Sequence, residues 1–157
     1  MSVDNGKIGD WNRVEKMLAS FGSKFQQNIQ QATDRSGRIL EAAMVSRIEQ
    51  QKLSPPLKPK YKRWKIGKGY SEQILVMTGT LMQNIRYHRR NWSSGFVGVL
   101  RNVKHSSGPS LVNIAAVHEY GTRDGRVPAR PYMAPALKES EGKIRQEYEA
   151  AIERTFK

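Results

Sequence analysis

Between Ala115 and Leu137 the chain must end a helix, run extended and start a helix again, all within 23 residues. Leu111, Ile114, Ala115, Val117 and Tyr120 recur at the spacing of one helical face, and Gly121 stands where a left-handed C-terminal cap is wanted. The helix is therefore expected to stop at Tyr120. Pro128 and Pro131 cannot occupy a helix interior and push the residues before them toward extended geometry, so 127–133 reads as an extended arm. Pro135 suits the first turn of a following helix, whose apolar stripe is Leu137, Ile144, Tyr148, Ile152 and Phe156.

The N-terminal third carries the other strong period. After a small, polar arm at 1–9, Asp10 can cap a helix with Trp11, Val14, Leu18, Phe21, Phe25 and Ile29 on one face. The period resumes at Ile39, Leu40, Ala43, Met44 and Ile48, up to Pro55-Pro56. One long helix, kinked at Asp34–Gly37, is the expectation; two helices broken there is the alternative. The aromatic residues on it serve core or subunit packing, not a ligand box.

Charge is concentrated in the middle. Residues 54–130 hold 14 basic and 3 acidic side chains, and so supply +11 of the net +13. A field of one sign over one region points to a polyanion or an acidic surface as partner. Within it, 53–70 reads as a basic, proline-rich surface loop, with Lys58, Lys60, Lys62, Arg63 and Lys65 interleaved with Tyr61 and Trp64. Thr78 is placed to cap a short helix from Gly79 to about Ile85, burying Leu81 and Ile85. Runs 85–90 and 95–103 then form a β-hairpin around Asn91-Trp92-Ser93-Ser94, with Arg86, His88 and Arg90 in a cationic row on one face. These basic residues are the candidate contacts to DNA or to an acidic partner.

The chemistry of an enzyme is missing. His118-Glu119 lacks the second histidine of a zinc-protease helix, because Thr122 stands there. Lys65-Ile66-Gly67-Lys68-Gly69 lacks the spacing of a phosphate-binding loop, and no nucleophile elbow is present. Without cysteine, disulfides and thiolate metal sites are excluded. The longest aliphatic run is Ile74–Met77, so neither a membrane span nor a signal peptide is expected. No catalytic residue, metal or cofactor is assigned. At 157 residues a single domain is expected. Its fold class is α+β, with a long N-terminal helix, short middle helices and a small antiparallel sheet extended by the 127–133 arm. A C-terminal helix is expected to close one sheet face.

Three segments occur in an order that resembles a known family. They are Pro56-Leu57-Lys58-Pro59, then Leu75–Ile85 with its Thr78-Gly79-Thr80-Leu81 core, then His118-Glu119-Tyr120-Gly121-Thr122 followed by Val127–Met133. Together they resemble the neck and tail-completion (virion morphogenesis) proteins of tailed bacteriophages. Met77 departs from that pattern, which has an acidic residue there. The resemblance implies a structural part of the head-to-tail connector, a homo-oligomeric, hexameric ring around the DNA channel. It would be made in the host cytoplasm and carried in the virion. Its implied partners are copies of itself, head-closure or connector proteins, and tail terminator or tail tube proteins, with phage DNA in the channel. A tail terminator ring capping the tube is one alternative. A stand-alone basic nucleic-acid-binding module, favoured by the charged middle and Trp64, is the other. His118, Glu119, Tyr120, Gly121, Pro128, Arg130, Pro131 and Tyr132 would form the assembly turn. There, His118 and Glu119 would bond the following turn or pair with Arg130, and Tyr120 and Tyr132 would pack against the core.

Overall fold

The structure, a computed structural model, describes residues 10–105 and 108–157; the expected arm at 1–9 lies outside them. In chain order the elements are α1 (Trp11–Glu49), α2 (Pro59–Gly67), α3 (Thr80–Gln83), β1 (Arg86–Asn91), β2 (Ser94–Gly98), α4 (Leu111–Tyr120) and α5 (Met133–Phe156). This is the α+β architecture expected from the sequence.

Helix α1 runs unbroken for 39 residues from the Asp10 cap, whose carboxylate accepts the Arg13 N–H at 3.1 Å. Helix α5 lies antiparallel along it. Asn28 bonds Thr155 at 3.0 Å, Thr33 bonds Tyr148 at 3.1 Å, and Arg35 meets Glu147 at 3.4 Å. Of the expected α5 stripe, Tyr148 packs against α1 and Ile144 is half-buried. The residues α5 buries most deeply are the smaller Ala136, Ser140, Ala151 and Thr155, which let α5 settle on the small residues Ala32 and Thr33 of α1. Leu137, Ile152 and Phe156 are exposed. The terminal helix therefore rests on α1, and α1 also carries the sheet. The main core joins Met44 and Ile48 of α1 to Ile85, Tyr132 and Ala136.

The hairpin is shorter than expected, with a two-residue turn at Trp92-Ser93, and pairs Tyr87 with Val97 and Arg89 with Gly95. Among the described residues it is the whole sheet. The 127–133 arm adds no strand. Pro128 and Pro131 offer no N–H, and the Arg130 N–H goes instead to the carbonyl of His118 at 2.7 Å. Asp34–Gly37, the expected kink, is where the hairpin docks. The Tyr87 hydroxyl donates to Asp34 at 3.0 Å, Arg89 Nε reaches the same carboxylate at 2.8 Å, and Glu41 accepts the Tyr87 N–H at 2.7 Å. Burial first, and Asp34 second, raise the pKa of the Tyr87 phenol.

Glycine at 37 is a packing requirement. A Cβ there would lie 2.1 Å from Cδ2 of Tyr87, and one on Gly95 would lie 2.4 Å from Cε2, so the ring is seated between two glycines. Helix propensity alone would make Gly37→Ala stabilising by about 1 kcal/mol. The displaced ring outweighs that, and Gly37→Ala is expected to destabilise by about 2 kcal/mol in thermal or urea unfolding. A raised melting temperature would show that the ring does not need the seat.

The proline-rich stretch also differs from expectation. Residues 59–67 form helix α2 rather than loop, because Pro59 occupies the first helical position, where its missing N–H costs nothing. Helix α3 starts from Gly79, at φ +76°, rather than from a Thr78 cap; the Thr78 hydroxyl bonds Thr80 at 2.7 Å and His105 at 3.1 Å. Leu81 and Ile85 are buried as expected.

Candidate assembly site

The turn that follows α4 joins three parts of the chain. Gly121 caps α4 at φ +77° with extended ψ (179°), a backbone region essentially reserved for glycine, and its N–H bonds the Val117 carbonyl at 2.8 Å. A tight loop follows, closed by Thr122 N–H to Val127 O at 2.9 Å and Val127 N–H to Thr122 Oγ1 at 2.9 Å. The chain then runs beside the last turn of α4, where the Arg130 N–H bonds the His118 carbonyl, and starts α5.

Glu119 makes that restart. Its buried carboxylate accepts the N–H groups of Tyr132, Met133 and Ala134 at 2.8, 2.9 and 3.0 Å. These are the cap and first two positions of α5, which have no partner within the helix. A carboxylate at a helix N-terminus also meets the positive end of the helix dipole. Glu119 is thus the N-terminal cap of α5, supplied from another element, and it does not pair with Arg130.

Arg130 holds the other side. Its guanidinium is buried and donates to the carbonyls of Pro55 (2.7 Å) and Pro56 (3.2 Å), tying the connection between α1 and α2 to the arm. Tyr132 is fully buried, and burial raises its phenol pKa, with the Glu119 charge adding to the shift. Tyr120 does not pack against the core: it is 81% exposed. It faces outward because the α4 face one position earlier, at Glu119, is the one committed to α5. Pro128 is half-buried and Pro131 exposed.

Between α2, the 74–81 segment, α4 and the arm lies a groove of about 640 Å³. Lys58, Lys65, Arg126, Arg130, His105 and His118 are its charged or titratable groups apart from Tyr61, and no Asp or Glu among the described residues lines it. Lys65, expected as an outward contact, is only 2% exposed. It sits on the inner face of α2, where its ammonium donates to the carbonyls of Gln73 (2.7 Å) and Val76 (2.9 Å), and burial lowers its pKa. Composition revealed its charge but not which side of the helix it takes.

His118 sits beside these cations with its Nδ1 buried and unpartnered. Burial, then the charges of Arg130 and Lys65, depress its pKa from 6.5 to about 4. The folded state therefore binds this proton less readily than the unfolded chain. The associated stability is complete above pH 6.5 and is lost as pH falls toward 4. We expect His118 to cost about 2 kcal/mol of stability between pH 7 and pH 5, and His118→Gln to remove that part of the slope in urea unfolding. An unchanged slope would mean that His118 is not held neutral.

The other expected contacts divide. Lys58, Lys60 and Arg63 are exposed, and Lys62 pairs with Glu72 at 2.9 Å. Trp64 stacks on Tyr61 at 5.5 Å and leans on Tyr70 at 6.2 Å, forming an aromatic ledge that begins at the groove edge with Tyr61 and runs outward from it. Arg86 meets Glu41 at 3.4 Å, His88 stacks on Phe96 at 4.9 Å, and Arg90 lies over the same ring at 5.5 Å. The expected row is thus partly spent on the fold. Arg89, which the sequence reading left out, is spent on Asp34. No group of three metal-binding side chains occurs among the described residues.

Residues 9–155 match the model of the phage virion morphogenesis family. The chain belongs to that family. The match covers nearly the whole chain, so in this phage virion morphogenesis protein both the long helix and the α4–α5 turn fall inside the family region. No curated protein and no solved structure matches the chain. No helix among the described residues is long and apolar enough to cross a membrane.

Proposed function

We propose that this virion morphogenesis protein is a non-enzymatic neck or tail-completion component. It closes as a homo-oligomeric ring, six-fold by family resemblance, around the channel between capsid and tail. The carrying observation is the free end of α1. Because α5 runs antiparallel and its end meets α1 at Phe21, where the Phe156 ring lies 5.4 Å away, residues 11–20 project beyond it. That overhang is about 15 Å of helix. It exposes Trp11, Val14, Met17 and Leu18, with Leu18 at 66%, and Phe156 beside it is 75% exposed. An apolar helical stripe without a partner among the described residues of its own subunit is explained by burial against another copy, at about 1.5–3 kcal/mol per large side chain covered. A contact between this end and a different face of the next copy is head-to-tail, and such contacts close rings.

The exposed Tyr61–Trp64 ledge with Lys60 and Arg63 favours a second reading, direct contact with DNA. Complementation separates the two. Purified protein added to heads and tails from a phage lacking it should restore joined particles. Leu18→Glu with Phe21→Glu should abolish that, whereas Lys60→Ala with Arg63→Ala should not. The reverse pattern would make DNA contact the function.

A further inference from the structure

We propose that the groove between α2 and α4 is a docking site for an apolar peptide segment bearing carboxylates, contributed by a different protein of the particle. This inference rests on the reading of the chain as an assembly protein and names the chemistry of one partner. The groove floor is apolar, with Leu57, Ile74, Val76, Ile114, Val117 and Pro128 among its lining residues, and its volume of about 640 Å³ suits a few side chains of an inserted segment. Its charge is of one sign. Arg126 at the rim has Asp124 at 3.1 Å, but Lys65 and Arg130 meet no carboxylate among the described residues.

Both buried cations keep donors in reserve. An ammonium has three N–H groups, and Lys65 uses two of them on Gln73 and Val76. A guanidinium has five, and Arg130 uses two on Pro55 and Pro56. Backbone carbonyls hold both groups in place without neutralising them. A carboxylate entering on an apolar side chain would meet fixed, charged donors in a half-desolvated setting, where such bonds are strongest.

Duplex DNA is the poorer fit, since phosphates need an exposed basic track and the groove interior is apolar. A second copy is also the poorer fit. The overhanging stripe of α1 is flanked by Arg13 and Lys16 as well as Asp10 and Glu15, so it brings no net negative charge.

The test uses the full chain to select binders from a random peptide library displayed on yeast, followed by fluorescence anisotropy of the selected peptides. Enrichment of apolar sequences carrying Asp or Glu is expected. Lys58→Glu with Arg126→Glu, both exposed at the rim, should weaken their binding by about tenfold. Lys60→Glu with Arg63→Glu, the same charge change outside the groove, should leave it unaltered. Melting temperatures of both double variants verify that they fold. Selection of neutral peptides, no selection, equal loss in both variants, or displacement of the peptide by a DNA oligonucleotide would each overturn the proposal. Native mass measured on the same samples separates this result from ring formation, since peptide binding needs no oligomer.

Discussion

Glu119→Ala is expected to lower stability by about 3–5 kcal/mol and the melting temperature by roughly 10–15 °C, the largest effect of any single polar side chain here. The three N–H groups it serves have no helical partner, and Tyr132, which carries one of them, is fully buried. Alanine would leave those donors unpaired where water enters poorly, the costly half of the hydrogen-bond balance. The bonds are not independent, so the loss falls below three times that of a single charge-assisted bond. Glu119→Gln keeps one accepting oxygen and the shape of the side chain, and should cost less than half as much. Thermal unfolding of the two variants decides the matter. An alanine variant within about 1 kcal/mol of the parent would show that α5 starts without this cap.

Gly121→Val should be nearly as severe, at about 3–4 kcal/mol, with loss of particle joining. Two independent costs act at one atom. The backbone sits at φ +77°, which a β-branched residue resists, and a Cβ would approach Ala129 N to 2.9 Å and Val127 O to 3.0 Å. Those neighbours are backbone atoms of the arm and cannot rotate aside. Gly121→Ala keeps both costs in smaller form, so it should fall between valine and the parent. Because residues 119 and 121 position the same arm, the double variant Glu119→Ala with Gly121→Val should lose less than the two single losses added. Unfolding midpoints for the four proteins measure that coupling, and strict additivity would mean that cap and turn act separately.

Local signals carried much of this fold. The end of α4 at Tyr120, the positive φ of Gly121 and the start of α5 near Pro135 follow from side chains within a turn of the feature they control. The hairpin followed from alternation in the same way. Contacts distant in the chain leave no such mark. Glu119 caps a helix 13 to 15 residues away, and nothing in His118-Glu119-Tyr120 reveals it. Gly37 reads as a weak point in a helix until Tyr87 arrives from 50 residues on. Lys65 is one lysine among several in sequence, and only its burial separates it from Lys60 and Lys62. Three members of the expected α5 stripe lie outside for a related reason, while Tyr148 and Ile144 turn inward. Large apolar residues mark a face that gets buried somewhere, and here α1 takes the small-residue face, leaving Leu137, Ile152 and Phe156 outside.

Exposed Phe156, beside the overhang of α1, bears on the central claim that the chain works by associating with itself. The most direct test is the native mass of the purified protein across a range of concentrations, by mass photometry or light scattering. It should be run beside Leu18→Glu with Phe21→Glu. A closed oligomer several times the 17.9 kDa chain mass, collapsing to monomer in the double variant with its helical content intact, is the predicted result. A parent protein that stays monomeric at all concentrations and on particles lacking it would contradict the account, as would an oligomer indifferent to both substitutions.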